Sequence, residues 1–135
     1  MIIPTHSTGH LILFRGTDWC NELSMDEIQN VMSRWNDWVE GLKNDGRLIA
    51  ASPLENEGRV ITGKNANVAD GPFAESKEAV GGYFYVSTGS IEEAVEIAKQ
   101  CPGLPHGIIV EVRPVAPSCP IERMALEEAA ASVQA

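Results

Sequence analysis

Histidine, cysteine and basic side chains are all scarce in this 135-residue chain, and each scarcity excludes a class of function. The three cysteines, Cys20, Cys101 and Cys119, are odd in number and widely spaced, with no C-x-x-C pair and no histidine at metal-ligand spacing. That pattern predicts free thiols rather than a disulfide framework or a metal site. Cys101 and His106 form a poor nucleophile and base pair, because Pro102, Gly103 and Pro105 between them spell a helix-ending loop. Ten basic residues against 19 acidic ones leave a formal charge of −9, which repels phosphate backbones and anionic lipid surfaces, so no direct nucleic-acid or membrane partner is expected. Long apolar runs are absent, as is a basic leader followed by a small-residue cleavage site. Neither a signal peptide nor a transmembrane helix is expected, and a cytoplasmic protein is. No repeat or low-complexity segment occurs, and no residue pattern calls for a cofactor.

What is present reads as one ordinary globular domain, with 44% apolar and 21% charged residues. Residues 1–9 form a tail of mixed character. His10 to Arg15 (HLILFR) predicts a buried first strand. Ser24 and Glu27 match the S-x-x-E capping box, and Ile28, Val31, Met32, Trp35, Val39 and Leu42 follow at helical spacing, with Asn44-Asp45-Gly46 as the stop. Trp35 falls in the core stripe. Trp38 falls at its border, where an extra aromatic suits a pocket wall or a subunit contact. Arg47 to Ala51, Arg59 to Thr62 and a piece centred on Val68 predict short strands, and Gly82 to Ser87 (GYFYVS) a longer one. Ser90 and Glu93 repeat the capping box before Ile91, Ala94, Val95 and Ala98. Gly107 to Val112 predicts a last strand closed by Pro114, and Pro120 opens an Ala- and Glu-rich helix.

Two helices set between runs of β structure predict an α+β fold, a ferredoxin-like split βαβ with an antiparallel sheet and an inserted β-hairpin. Residues 10–116 make the domain, and residues 117–135 a C-terminal helical extension. Both helices cover one face of the sheet. The other face, carrying Leu11, Leu13, Tyr83, Tyr85 and Ile108 or their alternate neighbours, predicts a homodimer packed sheet against sheet.

Asp70 to Glu78 (DGPFAESKE) sets a turn-forming Asp-Gly-Pro before an aromatic and a dense group of polar side chains, the pattern of a site. Together with GGYF, the second S-x-x-E helix, Cys-Pro-Gly and Glu111-Val112-Arg113-Pro114-Val115, it resembles the DGPF-type branch of the YCII-related family, from about His10 to Val115. The resemblance implies a ferredoxin-like dimer of the dimeric α+β barrel type, with the motif aspartate on the floor of a pocket. It implies no single reaction. Some relatives are assigned dehydrochlorinase-like chemistry through a His and an Asp, and others are linked to sigma factors. Asp70, Gly71, Pro72 and Phe73 match the motif, and Glu75, Lys77 and Glu78 continue it. Arg15 and Arg113 also match family positions. No histidine lies between His10 and His106, so the family's His-Asp pair has no direct counterpart, and His10 is the substitute.

An aspartate desolvated in a pocket can serve as a general acid or base, whereas an arginine beside it would hold it ionised. Asp70 and His10 are therefore the candidate catalytic pair, and Arg15, Arg113, Phe73, Trp38 and Lys77 the candidate substrate-binding residues. The competing account of Asp70 is turn chemistry, an Asp bonding its own backbone before Gly-Pro. Gly58 to Asn65 (GRVITGKN) nearly spells a phosphate-binding loop. It lacks the hydroxyl for magnesium and the following helix, and predicts a β-hairpin instead. The function expected is binding of a small anionic molecule around Asp70, with proton transfer or elimination as the chemistry. The alternative is a dimeric module acting through a protein partner in sigma-factor or stress regulation.

Overall fold

A computed structural model describes residues 9–71 and 78–134. Strand β1 (His10–Arg15) leads through a loop to helix α1 (Met25–Asn44), and strand β2 (Leu48–Pro53) follows. Strands β3 (Arg59–Thr62) and β4 (Asn67–Asp70) form a separate hairpin. Strand β5 (Val80–Val86), helix α2 (Ile91–Ala98), a 3-10 turn (Leu104–His106), strand β6 (Ile109–Pro114) and helix α3 (Pro120–Gln134) complete the order. The four-stranded sheet has the order β2-β5-β1-β6, with every neighbouring pair antiparallel. This is a ferredoxin-like α+β fold. None of its described helices is long and apolar enough to cross a membrane.

Local chemistry fixes the helix starts. At α1 the Glu27 amide donates to Ser24 Oγ at 3.2 Å and the Ser24 amide donates to Glu27 Oε1 at 3.0 Å, a complete capping box. The Ser24 backbone amide holds the Glu27 carboxyl below its ordinary pKa, with the Ser24 side chain adding to the effect. The second box is offset by one residue. Ser90 Oγ accepts from the Glu93 amide, but Glu93 Oε2 accepts from the amide of Gly89 rather than from that of Ser90.

Strand alternation divides the sheet into two unlike faces. His10, Ile12 and Phe14 of β1 pair with Val86, Phe84 and Gly82 of β5, and all six are buried beneath the helices. Phe14, Trp35, Trp38 and Phe84 form a ring cluster there, with Phe14 and Phe84 centred 4.9 Å apart. The opposite face carries Leu11, Leu13, Tyr83 and Tyr85, all half-buried, around an Arg15–Glu111 ion pair of 3.4 Å. No described element lies over it.

Helix α1 departs from the expected stripe. Its buried residues are Val31, Trp38 and Leu42, which at about 100° per residue fall within about 40° of one another. Trp38 is therefore core, and the expectation that it borders a pocket is corrected. Its Nε1 is buried with no hydrogen-bond partner among the described residues, so packing alone holds the ring there. Trp35, Val39 and Met32 lie on one flank of that line and are only partly covered. The apolar sector of α1 is wider than its contact with the sheet.

Hairpin β3–β4 stands outside the core, with all eight of its strand residues exposed. Its turn runs through Gly63 at φ 79° and Ala66 at φ 52°. Helix α3 is exposed at every described side chain from Pro120 to Ser132, including Ile121, Met124 and Leu126.

Candidate ligand-binding cleft

The uncovered flank of α1 opens onto a cleft of about 510 Å³, within the range of roughly 300–1,000 Å³ usual for small-molecule sites. Trp35, Val39 and Met32 form one wall, Phe14 and Phe84 of the sheet the floor, and Trp19 closes the end beside the loop after β1. The far rim is the end of β2 with the residues that follow it, Ala51 to Leu54 and Asn56. The walls are mostly apolar. Polar groups come from Thr17, Asn36, Ser52 and Asn56, and among the described lining residues there is no Lys, Arg, His, Asp or Glu.

Stacked and edge-on aromatic rings build the inner end of the cleft. Trp19 and Trp35 lie nearly parallel, their planes 14° apart and their centroids separated by 6.4 Å. His106 continues the ladder beyond Trp19 at 6.3 Å and 26°. Trp35 is held edge-on against Phe14 at 4.9 Å, so the core ring cluster fixes the orientation of the cleft wall. Gly81 and Gly82 also line the space, and their lack of side chains keeps its lower corner open.

Those sequence-derived site residues that the structure describes lie elsewhere. Asp70 ends β4 with its side chain 87% exposed, and its carboxylate faces Arg59 Nε at 3.5 Å across the hairpin. The arginine beside Asp70 is therefore Arg59, and neither Arg15 nor Arg113. Both guanidiniums face Glu111 on the open sheet, at 3.4 Å from Arg15 and 3.9 Å from Arg113, because antiparallel register sets Leu13 and Leu11 opposite Glu111 and Arg113. His10 is only 6% exposed and its Nδ1 shares a 2.6 Å hydrogen bond with Thr88 Oγ1, itself buried. Asp70, His10, Arg15, Arg113 and Trp38 are all absent from the cleft lining. Phe73 and Lys77 lie outside the described residues. Among the described residues no cluster of His, Cys, Asp or Glu is arranged to hold a metal ion.

Sequence reading missed Trp19; it gave Trp35 to the core, against which Trp35 does pack, but not its second place on the cleft wall. The signal for Trp19 was an isolated aromatic in the polar stretch Thr17-Asp18-Trp19-Cys20-Asn21, where burial by helical or strand periodicity offers no account of it. Asn36 and Asn56 carried no signal, since single amides on a helix face and in a loop are ordinary surface residues.

Cys101 is not an activated nucleophile. Burial pushes its thiol from the ordinary 9.0 up to about 11, against a smaller opposing effect of the Gly103 and Leu104 amides. In native protein at a pH of about 8, Cys20 and Cys119, both partly exposed, will react with a thiol reagent, and Cys101 only after unfolding. Below 9.0 the folded and unfolded chains both keep this proton; between 9.0 and about 11 only the folded chain does. Its contribution to stability is therefore lost progressively as pH rises above 9.0. A urea midpoint lower in wild type at high pH, and less pH-sensitive in Cys101→Ala, is the expected record.

The model of the YCII-related domain matches residues 12–117. No curated protein matches the chain at a significant level.

Proposed function

The chain belongs to the YCII-related family, and from that membership and the cleft together we propose that it binds a small molecule between α1 and the β2 edge of the sheet. The carrying observation is the surplus apolar sector of α1. The apolar surface that Trp35, Val39 and Met32 keep beyond their packing on the core would be costly to leave against water, and in this fold it walls a cleft of ligand size. The DGPFAESKE sequence of residues 70–78 supports the DGPF branch of the family, and in this reading the working form is a homodimer in the cytoplasm. The half-buried Leu11, Leu13, Tyr83 and Tyr85 support the dimer, as a second sheet would cover them. An anion held by Arg15 or Arg113 belongs to that same open face, where it must displace the Glu111 carboxylate. Proton transfer by Asp70 and His10 is a separate proposal that stands on the family resemblance; within one protomer the two side chains have different partners, Arg59 and Thr88.

One experiment locates the site. A mixed set of small organic molecules is screened by ligand-detected NMR against wild type, Ala51→Phe and Asp70→Asn. Ala51 is exposed on the cleft rim, so a phenyl ring there fills the cleft without entering the core. Binding abolished by Ala51→Phe and kept by Asp70→Asn is the expected result. The opposite pattern would move the site to the signature turn and restore the acid–base reading.

A second reading, a module that works through a protein partner in sigma-factor or stress regulation, is favoured by α3. A helix that leaves Ile121, Met124 and Leu126 in solvent has an unused apolar surface.

A further inference from the structure

We infer that the cleft selects an uncharged, planar ring carrying a carboxamide-like polar edge, an inference that rests on the cleft being the ligand site. Three independent features converge on that class.

The first is charge. No described cation or anion lines the cleft, so an ionised ligand would lose its hydration without gaining a partner. The protein's formal charge of −9 adds a long-range field that disfavours anions in particular.

The second is shape. The Trp19–Trp35 ladder is nearly parallel, with His106 extending it, and the rings are held in place by edge contacts of Trp35 with Phe14 and Trp38 at 4.9 and 5.5 Å. A lining of aromatic edges and faces favours another aromatic ring, which gains offset-stacked or edge-to-face contact beyond simple burial. A saturated ring of the same size touches the same wall through fewer atoms.

The third is the placement of amides. The side chains of Asn36, on the α1 wall, and Asn56, on the β2 rim, are solvent-exposed at the mouth of the cleft. Each offers one acceptor and two donors. An amide or hydroxyl at the edge of a ring can take the place of water at both, donating and accepting, whereas a carboxylate can only accept.

Three probes of one size separate these features: benzamide, benzoate and cyclohexanecarboxamide. Binding is read by calorimetry and by movement of the indole N–H signals of Trp19 and Trp35 in full-length protein. Benzamide should bind at least roughly tenfold more tightly than either of the others, and Ala51→Phe should abolish it. Benzoate binding as well as benzamide would overturn the claim about charge, and cyclohexanecarboxamide doing so would overturn the claim about planarity. In both cases, loss of binding in Ala51→Phe would leave the cleft as the site, so the two proposals fail separately. If none of the probes moves the indole signals, the ligand class assigned here is wrong.

Discussion

Phe84→Ala should lower the stability of the fold by about 3–5 kcal/mol, read as a fall in the urea midpoint with an unchanged slope. Phe84 is buried on β5, a central strand flanked by β2 and β1. Its ring meets Phe14 at 4.9 Å, Trp38 at 4.8 Å and Trp35 at 6.3 Å. Removing it withdraws apolar area from both layers at once, and the surrounding rings are too rigid to collapse into the space. Against a total stability of roughly 5–15 kcal/mol for a domain, that is a large fraction. The variant should also disturb the cleft, because Phe84 forms part of its floor. A loss below about 1 kcal/mol, well short of the usual cost of a buried aromatic, would mean that the ring cluster is looser than the geometry states.

Gly82→Val should cost about 1–3 kcal/mol from overpacking, with loss of cleft binding as its distinguishing mark. A Cβ at position 82 would stand 3.0 Å from the Ser52 carbonyl oxygen and 3.3 Å from Pro53 Cα. Both are backbone atoms of β2, so no side chain can turn aside to make room. The end of β2 must move outward, and it carries the rim of the cleft from Ala51 to Leu54. Gly41→Ala is the matched control. Gly41 is exposed on α1 with nothing near the added methyl, and the change should stabilise by roughly 0.5–1 kcal/mol. If Gly82→Val kept both stability and binding, the close approach of β2 to β5 at this point would be refuted.

Much of the fold was legible because its signals are local. Ser24 and Glu27 need only each other to start α1, and the alternation around Tyr83, Phe84 and Tyr85 marks a strand with one buried face. The near phosphate-loop at Gly58 to Asn65 resolved into a hairpin for the reason visible in its residues, a Gly63 turn between extended pieces. The candidate site was less legible. The density of polar side chains after Asp70 pointed to the signature turn, whereas the cleft is built from residues that singly read as core or surface. Trp35 and Trp38 are three apart on one helix and identical in type, and nothing in the chain says which meets the sheet.

The amino-acid order alone settled the strands and α-helices described here, the helix caps and an acidity that disfavours polyanionic partners, since each depends on neighbours in the chain or on summed composition. Only the folded arrangement decided that Trp38 packs in the interior while Trp35 walls a cleft, and that Arg15 meets Glu111, 96 positions away, rather than Asp70. Those outcomes hang on strand register and on how α1 is rotated against the sheet. Both are set by the simultaneous packing of β1, β5 and β6, and no local stretch of sequence encodes them.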